Sequence, residues 1–287
     1  MLTDTLIKRI ITALILAPII IALIFTANQW QFGGLLVLIL LLAQWEWTRF
    51  ILKADYIHYR RAVFVSMAVV FFLCIYLIYY IDHHANVSRM IEIIFFSLVA
   101  IIWLICLLYV VYYRGEAYVS LRNPVLMFFL GVILIVALWL GLSTLREMQN
   151  GRWWVMYILL IIWSADIGAY LTGKWWGKKK LAPKVSPGKT ISGFWGGIVV
   201  SLIIASGFSP FLISGIDDFL LLLVLTLITV LFSILGDLFV SILKRHQGLK
   251  DTGAILPGHG GLLDRIDSAL AAVPIFTLGI LLLRLTS

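Results

Sequence analysis

Long runs of apolar residues, separated by short polar segments, occupy the chain from one end to the other. Each run is about 20 residues long, which as an α-helix would cross the ~30 Å hydrocarbon core of a bilayer. We therefore predict an all-α fold, that of a polytopic integral membrane protein with about nine transmembrane helices. The predicted spans are 10–27, 33–52, 62–81, 91–113, 123–142, 152–173, 192–213, 219–243 and 266–284.

The composition favours a membrane-embedded chain over a soluble one. Hydrophobic residues fill 62% of the 287 positions and charged residues only 13%, whereas a soluble domain carries about 25% charge. Lys8 and Arg9 precede the first apolar run, as in a signal peptide, but no small-residue cleavage site follows that run. We therefore expect it to remain as the first helix.

The basic residues predict which side of the membrane each loop faces. With nine spans, 18 of the 22 basic residues fall on the side that holds the amino terminus. The other side keeps only Arg89, Arg146, Arg152 and Arg284. Because positive residues collect on the cytoplasmic side, we predict a cytoplasmic amino terminus.

Charge inside the membrane separates two regions of the chain. Residues 1–150, with predicted helices one to five, carry few such charges and are interpreted as a transmembrane scaffold. Their main exception is Glu46, which we interpret as an i,i+3 ion pair with Arg49. Residues 151–287, with helices six to nine and the cytoplasmic loops 174–190 and 245–264, are predicted to form the catalytic region.

Asp166 is the first polar residue that demands an explanation in the second region. It lies in an apolar helix, with Tyr170 one turn further along the same face. An unpaired aspartate inside the membrane costs about 2.5–3.5 kcal/mol. We expect a lysine, a metal ion or a water-filled cavity to compensate; a purely structural hydrogen-bonded pair is the alternative.

The loop 174–190 contains six lysines and ends in a run of turn-forming and hydroxyl residues. Ser186, Lys189 and Thr190 converge just before a predicted helix start, where free N–H groups attract anions. The loop is not a Walker A motif, because it lacks the glycine spacing and no strand is predicted before it. Phosphate binding is one interpretation; a solvated surface facing lipid headgroups is the other.

The densest polar segment is Ser241–Asp267, which lies between two long apolar runs. Just upstream, Ser233, Asp237, Ser241 and Lys244 are spaced along one stripe of a helix. Asp264 and Asp267 are one turn apart on the next helix, where an N-cap role for Asp264 is the ordinary alternative.

Four aspartates near one membrane interface would repel one another if all were ionised, and a divalent cation removes that conflict. We therefore interpret Asp166, Asp237, Asp264 and Asp267 as candidate metal ligands. Oxygen donors favour Mg²⁺, which shares phosphates with its substrates. Lysines beside such a metal are typical of phosphoryl or nucleotidyl transfer.

Residues 241–267 resemble the signature of the phosphatidate cytidylyltransferases, also called CDP-diacylglycerol synthases. The pattern S-x-x-K-R-x4-K-D-x-G-x2-L-P-G-H-G-G-x-x-D-R-x-D is present without a gap over 27 residues. The segments 166–170, 186–190 and 236–238 resemble the same family in the same order. One departure is Ser192, where family members often have an acidic or amide residue.

The resemblance implies a membrane enzyme that makes CDP-diacylglycerol and pyrophosphate from CTP and phosphatidic acid. It implies Mg²⁺, leaving open a second metal or a monovalent cation, and it implies a homodimer. The expected partners are the two substrates and the lipid bilayer, with no nucleic acid. The expected location is the cytoplasmic membrane of a bacterium, with the active site facing the cytoplasm.

The resemblance also assigns roles to individual positions. Asp237 and Asp264 match metal-binding aspartates, and Asp166 and Asp267 match further acidic positions. The residues expected to act on the reacting phosphates are Asp237, Asp264, Asp267, Lys244, Arg245 and Lys250. Those expected to bind substrate are Ser186, Lys189, Thr190, His259, Gly260, Gly261, Arg265 and Tyr170.

Two other functions fit part of the same pattern. A CTP-dependent polyprenol or lipid kinase would transfer the γ-phosphoryl group and release CDP. An ion-coupled anion transporter would use Asp166, Asp237 and Asp264 as a coupling-ion site. Against the transporter, the sequence has no inverted repeat and its charge gathers on one side of the membrane.

Overall fold

The computed structural model of the chain describes residues 17–52, 56–84, 88–115, 118–255 and 260–283. Within those ranges it contains nine α-helices, eight of which are long and apolar enough to cross a membrane. The helices are α1 (Ala17–Thr26), α2 (Gln29–Ile51), α3 (Ile57–His84), α4 (Ser88–Val111), α5 (Pro124–Glu147), α6 (Gly151–Trp176), α7 (Ile191–Phe208), α8 (Ile216–His246) and α9 (Leu263–Leu283).

The prediction of an all-α polytopic membrane protein is confirmed, and each predicted span corresponds to one helix. Residues 10–16 of the first predicted span lie outside the described residues. Local signals set several helix starts. Asn28 caps α2 in a reciprocal pair with Gln31, and Asn123 caps α5 directly before Pro124.

Helices α5 and α9 form the centre of the bundle. Their spans are 67% and 72% buried within the protein, whereas the span of α3 is only 11% buried and lies at the periphery. Helix α9 packs against α4, α5 and α8, so the first region supports the second directly. Helices α6 and α7 approach each other closely at Gly168, where a side chain would meet the carbonyl oxygen of Gly196.

Hydrogen bonds between helix ends confirm that the helices alternate in direction as predicted. At one end of the bundle, Gln247 donates to the carbonyl of Phe50 and Lys184 donates to the carbonyl of Arg114, at 2.9 and 2.7 Å. At the opposite end, Gln29 donates to Glu147 at 2.7 Å, and Arg146 donates to the carbonyl of Ala27 at 2.8 Å. We call the first end, which also carries residues 174–190, 246–255 and 260–262, the basic face.

A small antiparallel hairpin lies on the basic face. It consists of β1 (Lys180–Ala182) and β2 (Ser186–Thr190), with Lys180 opposite Thr190 and Ala182 opposite Ser186. The prediction that these residues form a loop without a strand was wrong. Strands of three and five residues are too short to show an alternating pattern, and their pairing is made by backbone groups that every residue carries.

Candidate functional site

Two lysine–aspartate pairs connect the polar segments that the sequence singled out. Lys189 Nζ on β2 lies 2.7 Å from Asp237 Oδ2 on α8. Lys244 Nζ near the end of α8 lies 2.8 Å from Asp264 Oδ1 on α9. The hairpin, α8 and the start of α9 are therefore held together by ion pairs on the basic face.

The first pair adjoins a cavity of about 470 Å³ between α6, the hairpin, α7 and α8. The side chains of Lys189 and Asp237 are 25% and 28% exposed, so both remain accessible. Ser241 donates to Asp237 Oδ1 at 3.3 Å, as the predicted stripe on α8 requires. The predicted site residues that line the cavity are Asp166, Tyr170, Ser186, Lys189 and Thr190.

Three of the predicted aspartates lie near one another although they come from three helices. Asp166 on α6, Asp237 on α8 and Asp267 on α9 interact electrostatically as like charges. Asp267 is only 7% exposed and accepts a hydrogen bond from the backbone N–H of Ser268 at 2.8 Å. Positive charge from Lys189 and Lys244 opposes this repulsion.

Asp264 is surrounded by four hydrogen-bond donors. Lys244 donates to Oδ1, while the Thr252 N–H, the Thr252 hydroxyl and the Gly261 N–H donate to Oδ2 at 2.8, 3.0 and 3.0 Å. Asp264 is the second residue of α9, so it is not the N-cap that we considered. Gly260, beside it, has φ of +81°, a conformation that favours glycine. Asp264 thereby holds the loop that leads into its own helix.

Glu46 is the residue whose sequence interpretation was wrong. It is 1% exposed, and within the described residues its carboxylate accepts from the Thr252 hydroxyl at 3.0 Å and the Leu263 N–H at 2.8 Å, without an ion pair to Arg49. The nearest sequence neighbour of opposite charge suggested the pair, but the fold offers Glu46 partners more than 200 residues away. The signal available in the sequence was the position of Glu46 within a mostly apolar helix.

Several other predicted residues lie at the edge of this arrangement. Arg245 is exposed and approaches backbone carbonyls of Val185 and Leu249 at 3.4 and 3.5 Å. Lys250 and Arg265 are also exposed, and Arg265 interacts electrostatically with Asp166.

Two further positions complete the account of the predicted site. Thr190 is the N-cap of α7, where its hydroxyl accepts from the Gly193 N–H at 3.1 Å. This bond gives Thr190 a structural role, while its predicted role toward phosphate remains a prediction. His259 lies outside the described residues.

Asp237 and Asp264 are the carboxylates that we predict as ligands of a magnesium ion shared with substrate. Within the described residues no three or more acidic, histidine or cysteine side chains gather into a group that could hold a metal ion. Mg²⁺ commonly takes one or two carboxylates and completes its shell with water and phosphate. Asp237 and Asp264 each have a lysine ammonium group within 2.8 Å, so the surroundings of each carboxylate accommodate a positive charge. The metal assignment remains a prediction.

An apolar groove of about 730 Å³ adjoins the cavity that has Asp166 and Lys189 in its wall. It runs between α4, the hairpin, α7 and α8, and Lys184 lies at its wall. Groove and cavity share Leu181, Phe194 and Ile234 in their walls. A site for charged groups is thus continuous with a surface suited to hydrocarbon.

Comparisons with known proteins agree with the signature at residues 241–267. A model of the cytidylyltransferase family matches residues 7–283. A phosphatidate cytidylyltransferase of Haemophilus influenzae is 34% identical over 281 residues, covering 94% of this chain and 96% of the relative. One from Pseudomonas aeruginosa is 33% identical over 269 residues, covering 94% of each chain.

A third relative matches this chain over a shorter length. The phosphatidate cytidylyltransferase of Staphylococcus aureus strain COL is 49% identical over 136 residues, which cover 47% of this chain and 51% of the relative. Together these matches confirm the resemblance stated from the motifs. They favour a cytidylyltransferase over the lipid kinase and the transporter.

Proposed function

We propose that this chain, which belongs to the cytidylyltransferase family, transfers CMP from CTP to phosphatidic acid and forms CDP-diacylglycerol and pyrophosphate. The observation that carries the proposal is the Lys189–Asp237 contact beside a cavity that has Asp166 and Lys189 in its wall and continues into an apolar groove. A nucleotide needs the first environment and a membrane lipid needs the second.

The reaction joins two phosphates and needs little proton transfer. An oxygen of the lipid phosphate forms a bond to the α-phosphorus of CTP, and the bond from that phosphorus to the oxygen bridging to the β-phosphate breaks. Pyrophosphate leaves with the electron pair. A phosphomonoester has a second pKa of about 6, so the attacking oxygen is largely ionised at neutral pH without a general base.

The main barrier is repulsion between two polyanions, and positive charge fixed in place lowers it. Lys189 is accessible at the cavity and can exchange Asp237 for a phosphate oxygen. Lys244 is held against Asp264, so it contributes charge from a fixed position. Lys189 thus binds the substrate, whereas Lys244 orders the site around it.

Asp237 and Asp264 would hold Mg²⁺, which when bound supplies Lewis-acid charge at the phosphates. Asp166 lies at the cavity wall, where its attraction to the Lys189 ammonium group keeps that side chain oriented. Asp267 is buried and lies close enough to Lys244 to interact with it electrostatically.

The membrane setting follows from the substrates. We assign the basic face to the cytoplasm because the predicted topology places 18 of the 22 basic residues on that side. The proposed membrane is the cytoplasmic membrane of a bacterium, since the relatives are bacterial proteins. The apolar groove would take an acyl chain of phosphatidic acid while its phosphate reaches the cavity. A homodimer is the proposed assembly.

The candidate reactions can be distinguished by labelling either the α- or the γ-phosphate of CTP with ³²P and measuring which label enters the lipid. The purified protein in detergent with Mg²⁺ and phosphatidic acid should place label from α-³²P CTP in the lipid and release pyrophosphate. A lipid kinase would transfer γ-³²P label instead, and a transporter would transfer neither. Absence of α-label in lipid across several detergents and salts would overturn the proposal.

Two controls make the assay specific. Diacylglycerol in place of phosphatidic acid lacks the attacking phosphate and should accept no label. Chelation of divalent cations should abolish transfer, and added Mg²⁺ should restore it. Transfer that persists after chelation would remove the metal from the proposal.

A further inference from the structure

Glu46 connects the first region of the chain to the site. It lies on α2, among helices that were interpreted as scaffold, and is 1% exposed. Its Oε2 accepts from the Thr252 hydroxyl at 3.0 Å and from the Leu263 N–H at 2.8 Å, which lie 206 and 217 residues further along the chain. A carboxylate this deeply buried is stabilised only by such donors.

One hydroxyl group links Glu46 to Asp264. Thr252 Oγ1 lies 3.0 Å from Glu46 Oε2 and also 3.0 Å from Asp264 Oδ2. A hydroxyl carries a single hydrogen, so the two carboxylates share one donor. Thr252 is fully buried, and its N–H also donates to Asp264 at 2.8 Å. The position of Asp264 Oδ2 therefore depends on a residue that Glu46 holds.

Two glycines, Gly253 and Gly261, leave the space that the Glu46 carboxylate occupies. A side chain at Gly253 would overlap Glu46 Oε1, and one at Gly261 would overlap the Thr252 hydroxyl and Glu46 Oε2. Leu263 is the first residue of α9, so its N–H is one of the free donors at a helix start, where a negative charge is favourable. Glu46 thus fixes both the loop and the start of the helix that carries Asp264.

We infer that Glu46 is a positioning residue for the metal-binding carboxylate of Asp264, acting through Thr252 and the first turn of α9. The inference rests on the proposed metal role of Asp264. Residues that orient metal ligands typically change metal affinity by 10- to 100-fold when altered. Glu46 itself touches neither substrate nor metal in this scheme.

Binding of Mn²⁺ alone tests the inference without turnover. Free Mn²⁺ can be followed by electron paramagnetic resonance as it is added to the full chain in detergent. We expect Glu46→Gln and Thr252→Val to weaken Mn²⁺ binding about 10- to 100-fold. Thr252→Ser, which keeps the hydroxyl, should stay within about threefold of the unmodified chain.

A matched control is available at the opposite end of the bundle. Glu92 accepts from the Thr144 hydroxyl at 3.0 Å, which is the same kind of contact far from the basic face. Glu92→Gln should leave Mn²⁺ affinity unchanged. If Glu46→Gln does not fold, the inference is tested by comparing the Mn²⁺ affinities of Thr252→Val and Thr252→Ser.

The outcomes separate the inference from the proposal beneath it. If Asp264→Asn binds Mn²⁺ as well as the unmodified chain, or the unmodified chain binds none, the metal role of Asp264 fails and the inference fails with it. If Asp264→Asn loses binding but Glu46→Gln and Thr252→Val keep it within twofold, only the inference fails. A lower melting temperature with unchanged Mn²⁺ affinity would mean that Glu46 is merely structural.

Discussion

The two lysine–aspartate pairs have nearly the same length and very different surroundings. Lys189–Asp237 spans 2.7 Å with side chains 25% and 28% exposed, and it adjoins the cavity. Lys244–Asp264 spans 2.8 Å with side chains 11% and 6% exposed, and three further donors surround its carboxylate. The distance between two charges therefore does not define what a pair does.

The two ion pairs differ in how readily they can open and take a new partner. Solvent screens an accessible pair, which gains little from staying closed and can take a new partner. A buried pair with extra donors is costly to open, because each charge would then be left unpaired away from water. We therefore regard the first pair as the place where substrate phosphate enters and the second as the fixed frame of the site.

The largest expected effect comes from Asp264→Asn. The amide keeps the shape but removes the charge on which both Lys244 and the proposed metal depend, so CMP transfer should fall at least about 1,000-fold. Transfer of α-³²P label to lipid measures the loss, and size-exclusion chromatography in detergent checks that the fold is retained. Near-normal turnover would contradict the metal-ligand role.

Lys189→Met should have the next largest effect and should act on the substrate. Loss of one fixed positive charge at the phosphates typically lowers catalytic efficiency by about 100-fold. We expect kcat/KM for CTP to fall by about that factor while the melting temperature changes little, because the pair is accessible. A large loss of stability would show that the Lys189–Asp237 pair also has a structural role.

Lys244→Met should lower the stability of the protein more than Lys189→Met does. It leaves Asp264 in a nearly buried position without its ammonium partner, and breaking a buried pair costs about 3–5 kcal/mol. We expect the melting temperature to fall by roughly 5 °C or more, well beyond the shift in Lys189→Met. Equal melting temperatures for the two variants would remove the distinction between the pairs.

Ser192→Ala should have the smallest effect. Ser192 lies in the first turn of α7, where its hydroxyl is 3.3 Å from that of Thr190, and the α7 cap is made by Thr190 itself. We expect a change in kcat/KM of less than about fivefold, since one neutral hydroxyl hydrogen bond contributes about 1 kcal/mol or less. A thousandfold loss would place Ser192 among the residues that contact substrate.

The sequence alone determined the membrane fold and the approximate helix spans, and it predicted the charged residues of the candidate site. These features depend on local properties, namely the length of an apolar run and the rarity of charge within it. The 27-residue signature added the family before any contact was known.

Only the tertiary structure decided how those charges are partnered. Lys189 meets Asp237 and Glu46 meets Thr252 because segments far apart in sequence pack side by side. Local spacing suggested Arg49 for Glu46, but burial rewards whichever donors the packed interior provides. Sequence spacing reveals neighbours on one helix, whereas partners across helices are set by packing through space.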